Sequence, residues 1–164
     1  MLWIDILILV VIGFFAIYGF KVGFVKALVS FFGIILASFL ASEFYMPVSS
    51  WLIDKTGWGE NFSRVLVFIL ILILITRLVD FIFWIIAKIF HIVTWIPFTN
   101  SINKFLGLFF GLIEGFVVIS LIIFFIEKFP LAESVMNFFD ASLLAPFLSW
   151  VASLLIQFIP GGLL

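Results

Sequence analysis

Apolar runs long enough to cross a bilayer dominate this chain, and two of them carry charge at mid-membrane depth. The stretch from Arg64 to Glu127 reads as two transmembrane helices joined by a short hydrophobic turn. Arg77 and Asp80 lie on the first helix, and Glu114 lies on the second. Gly107, Gly111 and Gly115 recur every four residues on the second helix. A charge at the bilayer centre costs from about 2.5 to well over 10 kcal/mol, so each of these charges asks for a partner. Glycine at that spacing marks where a neighbouring backbone comes close. Hydrophobic residues make up 66% of the chain and charged residues 10%, against about 25% charged in a soluble domain. The composition is that of an integral membrane protein, with no room for a separate soluble domain.

Four spans are predicted, at about 2–20, 27–45, 64–88 and 102–126. Pro47 suits a first helical position and Gly57 a C-terminal cap, which predicts a short interfacial helix after span two. Pro130 and Pro146 divide the tail after Glu127. The segment 146–159 is about 21 Å long as a helix, short of the roughly 30 Å hydrocarbon core. Ser149, Ser153 and Gln157 give it one narrow polar stripe. It reads as interfacial or half-inserted, the alternative being a helix packed on the bundle. The expected fold is all-α and integral to the membrane. Four transmembrane helices form two hairpins over 1–126, and an amphipathic, interfacial tail covers 127–164.

Charge placement gives the orientation. The turn after span one holds Lys21 and Lys26, and the turn between spans three and four holds Lys88 and Lys104, all without an acid. The opposite side holds Asp5, Glu43, Asp54, Glu60, Glu127, Glu133 and Asp140, against Lys55, Arg64 and Lys128. The positive-inside rule places both basic turns in the cytoplasm and both termini outside. Trp3, Trp51, Trp58 and Trp150 then fall at the outer interface and Trp95 at the inner one, as aromatic belts do. The start, Met1-Leu-Trp-Ile-Asp5, lacks a positive n-region, so the first apolar run is expected to remain as an anchor.

Arg77 lies about 20 Å in from Arg64, and Glu114 about 15 Å in from Lys104. Antiparallel neighbours would bring them together, so an Arg77–Glu114 pair is expected, with Asp80 as a second carboxylate. Such a network either fixes helix packing or relays a proton or ion. Asp5 and Glu43, at the outer ends of spans one and two, are expected to be solvated at the interface. Coordination of a cation or sharing of a proton is the alternative. Ser30, Gly33, Ala37 and Ala41 form a small-residue packing stripe on span two. His91 is read as a plain interfacial histidine.

The chain has no cysteine and one histidine, so neither a disulfide nor a His/Cys zinc site is expected. No catalytic set or phosphate-binding loop appears, and no cofactor is implied. The basic residues are too few and scattered for nucleic acid. The expected partners are the lipid bilayer and a membrane protein or further copies of the chain.

Trp3-Ile4-Asp5, Lys21-Val-Gly23-Phe24-Val-Lys26 and Asn103-Lys104-Phe-Leu106-Gly107-x-x-x-Gly111-x-x-x-Gly115 resemble, in order and spacing, the colicin V production protein family. The resemblance implies a bacterial inner-membrane protein required for colicin V production or export, with a wider role in envelope homeostasis. Some relatives carry an extracytoplasmic serine protease at the C-terminus, in keeping with a C-terminus outside. Members often have an acid where Asn103 stands and a base where Glu114 stands. Two functions are in chief competition, a third, an enzyme or protease chaperone, having support only from the fused relatives. One is an interaction or assembly component. The other is a small oligomeric transporter or channel using Arg77, Asp80 and Glu114.

Overall fold

A computed structural model describes residues 2–90, 100–131 and 133–157. Six helices follow in order: α1 (Leu2–Val22), α2 (Phe24–Thr56), α3 (Glu60–Phe90), α4 (Asn100–Lys128), α5 (Glu133–Asp140) and α6 (Ala145–Ile156). The first four are long and apolar enough to cross a membrane, and no strand occurs among the described residues. The protein is a multi-pass, all-α membrane protein. His91, Trp95 and Pro97 lie outside the described residues.

A single residue, Gly23, separates α1 from α2. Its φ of 81° is open to glycine at little cost, and its N–H donates to the Gly19 carbonyl at 2.9 Å to close α1. The Phe24 N–H, left without an intrahelical acceptor at the start of α2, donates to Asn103 Oδ1 of α4 at 2.9 Å. Three helices are thereby pinned at the basic end.

The separate helix expected after span two is absent. α2 runs unbroken through Pro47 for 33 residues, about 50 Å. Pro47 removes the donor for the Glu43 carbonyl, but Glu43 and the turn from Met46 to Val48 are exposed, so the lost bond lies on the side of the helix turned away from the bundle. Tyr45 and Ser49, on either side of the proline, are buried and keep the helix on the bundle. The helix stops only at Gly57, whose φ of 69° lets its N–H reach the Ile53 carbonyl at 2.8 Å.

Helix partners also differ from the two hairpins of sequential neighbours. The extensive contacts are α1 with α4 and α2 with α3, and α2 against α4 joins the pairs. α1 touches α2 little, and α3 touches α4 little. In the first pair the backbones nearly meet. A methyl group added at Gly107 would run into the backbone of Gly19 and Gly23, and one at Gly111 into the Phe15 carbonyl. One at Gly115 would lie 3.1 Å from Ile12 Cα. In the second pair Ser30, Ala37 and Ala41 are buried, and Val79 of α3 packs over Gly33. The join is aromatic. Phe68 of α3 stacks on Phe125 of α4 with centroids 3.7 Å apart, and Tyr45 of α2 meets the same ring edge-on.

α6 lies against α4 on the face formed by Ala145, Leu148, Ala152 and Ile156. Ser149 Oγ donates to Glu127 Oε1 at 2.8 Å, so the polar stripe begins on the bundle, while Gln157 is exposed.

Gly111→Ala should push α1 off α4 and destabilise the protein by about 1–3 kcal/mol. Gly13→Ala, with nothing within 4 Å of the added carbon, should be neutral. Size-exclusion profiles of detergent extracts heated in steps would compare the two, and equal midpoints would refute close α1–α4 packing.

Candidate functional site

α3 and α4 meet at Phe68 and Phe125 and separate beyond them. Arg77 is about 14 Å farther along α3 from that contact, and Glu114 about 16 Å back along α4. Between them opens a cavity of 160 Å³. Phe14, Phe15 and Tyr18 of α1 form its aromatic wall, and Arg77, Asp80 and Glu114 bring the charge.

All three charged residues read from the sequence thus reach one cavity, but the expected pair is not formed. No ion pair joins Arg77 to Glu114 among the described residues, because their helices diverge at this depth. Arg77 is exposed, whereas Glu114 is only 4% exposed. Arg77 and Asp80 line the same cavity as Glu114, with no hydrogen bond or ion pair to it among the described residues. Asp80 has a different partner, Ser30 of α2, whose Oγ donates to Asp80 Oδ1 at 2.6 Å. Thr76 also borders the cavity, but its hydroxyl donates to the Leu72 carbonyl at 2.8 Å, within its own helix. Two carboxylates and a guanidinium against apolar walls can hold charge and exchange protons. No cluster of three His, Cys, Asp or Glu suited to a metal occurs among the described residues.

The glycines of α4 and the stripe at Gly33 and Ala37 are packing surfaces, remote from the charges in role. The matching residue on α1, Gly19, went unread in the sequence, although Gly19-x-x-x-Gly23 repeats the four-residue spacing.

Asp5 is more than a solvated interfacial acid. Its Oδ1 accepts from Ser142 Oγ at 2.5 Å and from the Leu143 and Leu144 N–H groups at 3.2 Å. Ser142 Oγ in turn accepts from the Ala145 N–H at 3.0 Å. The start of α6 is therefore capped by a side chain of α1. A serine before Ala145-Pro146 was the available signal, but nothing in the sequence linked it to residue 5. Glu43 is exposed.

Of the basic residues, Lys26 lies over Tyr18 at 5.5 Å, Lys104 over Phe20 at 5.9 Å and Lys88 over Trp84 at 4.9 Å. Lys21 is exposed. The amines of Lys26, Lys88 and Lys104 thus lie over aromatic rings near the basic helix ends.

A family model described as Colicin V production protein matches residues 4–153. Colicin V production protein of Escherichia coli (strain K12) is 28% identical over 130 residues, covering 79% of this chain and 76% of that protein. No solved structure matches.

Asp5→Ala should free the start of α6 at a cost of about 0.5–2 kcal/mol, while Asp5→Asn, which keeps an acceptor oxygen, should lose less. Hydrogen exchange at the Leu143 and Leu144 amides would read this. Unchanged protection in Asp5→Ala would remove the capping role.

Proposed function

The chain belongs to the colicin V production protein family, and from that membership we propose a bacterial inner-membrane protein that supports toxin production and export and envelope homeostasis. It acts as an interaction or assembly component and not as an enzyme. The basic turns at Lys21, Lys26, Lys88 and Lys104 face the cytoplasm, and both termini lie outside.

The observation that carries the assembly reading is Arg77. It is a fixed cation near mid-depth, exposed on α3 and without an ion-pair partner among the described residues. Among the described residues α3 has one extensive neighbour, α2, and presents exposed Leu70, Leu74, Leu78 and Phe81 beside Arg77. Arg77 makes no direct ion pair with the carboxylates of the cavity, and an acidic or carbonyl-bearing partner helix against its exposed side would lower the cost of holding a cation at this depth. A second membrane protein or another copy of this chain fits that need.

Photo-cross-linking from Leu74 and Leu78 in native membranes, followed by affinity isolation, tests the reading. A partner of fixed stoichiometry that is lost in Arg77→Ala is expected. Adducts with lipid alone would sink it. Orientation is directly testable, because the chain has no cysteine. An impermeant maleimide should label Gly59→Cys in intact spheroplasts and leave Lys21→Cys unlabelled until the membrane is opened.

The cavity supports a second reading, a small oligomeric transporter or channel that uses Arg77, Asp80 and Glu114. Ion or proton leak in liposomes that disappears in Glu114→Gln would favour it.

A further inference from the structure

Glu114 is the buried acid of this membrane domain. It is 4% exposed and lines the cavity, and among the described residues it accepts no hydrogen bond and makes no ion pair. The groups that face it can be named helix by helix. α1 offers Tyr18, whose ring lies under Lys26 of α2. α2 offers Ile34, while its Ser30 is engaged with Asp80. α3 offers Arg77 and Asp80, and α4 adds apolar Val118.

With all three charged, the cavity would hold one guanidinium and two carboxylates, a single uncompensated negative charge. Burying such a charge is strongly unfavourable unless it is paired or neutralised. A hard metal ion fits poorly, because it needs about six or more oxygen ligands and Arg77 would repel it. Of the two acids, Asp80 already accepts a hydrogen bond from Ser30 and so has a polar partner. Glu114 has no such support.

We infer that Glu114 is an exchangeable proton-binding site inside the membrane, reached through the cavity and set between Arg77 and Asp80. The inference rests on the cavity and not on either functional reading, since a neutral Glu114 can serve assembly as well as transport.

Dicyclohexylcarbodiimide, an apolar reagent that enters bilayers, is the probe. The acid proton passes to one carbodiimide nitrogen as the carboxylate oxygen bonds to the central carbon and a C=N π bond breaks. The acyl group then migrates from oxygen to nitrogen, leaving a stable N-acylurea. Nothing departs, so the product mass is protein plus reagent.

The full chain in liposomes should give one adduct, mapped by peptide mass to Glu114, and labelling should fall as pH rises because only the protonated acid reacts. Asp80→Asn removes the repulsion and leaves Arg77 free to hold Glu114 charged, so labelling at Glu114 should drop by about tenfold or more. Arg77→Gln should raise labelling and carry it to higher pH. Glu114→Gln should lose the adduct. Should any variant fail to elute as a single species, the pH profile of the unaltered chain still decides. No adduct on folded protein, an adduct on Asp80 instead, or labelling of Glu114 indifferent to pH would each overturn the proposal.

Discussion

The rest of the structure depends on the near contact of two backbones, α1 and α4. Lipid tails are as apolar as leucine, so the hydrophobic effect does little to bring these helices together. What remains is dispersion at close range and weak backbone polarity, both of which fall off steeply with separation. Gly19, Gly107, Gly111 and Gly115 remove the side chains that would hold the axes apart. That contact fixes α4, and α4 then positions α2 and α6. The aromatic group of Phe68, Phe125 and Tyr45 completes the join to α3.

The cavity is a product of this arrangement. α1 and α4 close on each other, α2 and α3 close on each other, and the pairs are joined through α2 and at the Phe68–Phe125 stack. α3 is free to part from α4 beyond that stack, and the charged residues lie where it does. Small residues therefore determine packing while Arg77, Asp80 and Glu114 occupy the space the packing leaves. Polar attachments at the two ends, Asn103 to Phe24 and Asp5 to Ser142, hold the frame around it.

Much of this was legible in the sequence. The spans follow from hydropathy, and Gly107, Gly111 and Gly115 and the stripe at Gly33, Ala37 and Ala41 identify packing faces from spacing alone. That Arg77 and Glu114 come to one cavity follows from rise per residue along their two helices. Which helices pair did not follow. A transmembrane helix is apolar on every side, so periodicity does not distinguish a lipid face from a protein face, and chain order suggested hairpins. Pro47 misled because its rule is about one lost donor, which matters little where buried neighbours such as Tyr45 and Ser49 hold the helix on the bundle. The roles of Asp5 and Ser30 depend on partners distant in the chain, Ser142 and Asp80, for which one sequence has no signal.

The pairing of α1 with α4 also has a consequence in time. Gly19 and Gly111 are separated by the whole of α2 and α3. At about 5–20 residues per second, a ribosome takes on the order of 5–20 s to deliver the second glycine face after the first. During that interval α1 is already in the bilayer with its small-residue groove facing lipid or another protein. The nascent chain is thus most open to a membrane chaperone, to a competing small-residue helix or to quality-control proteolysis before its fourth span arrives.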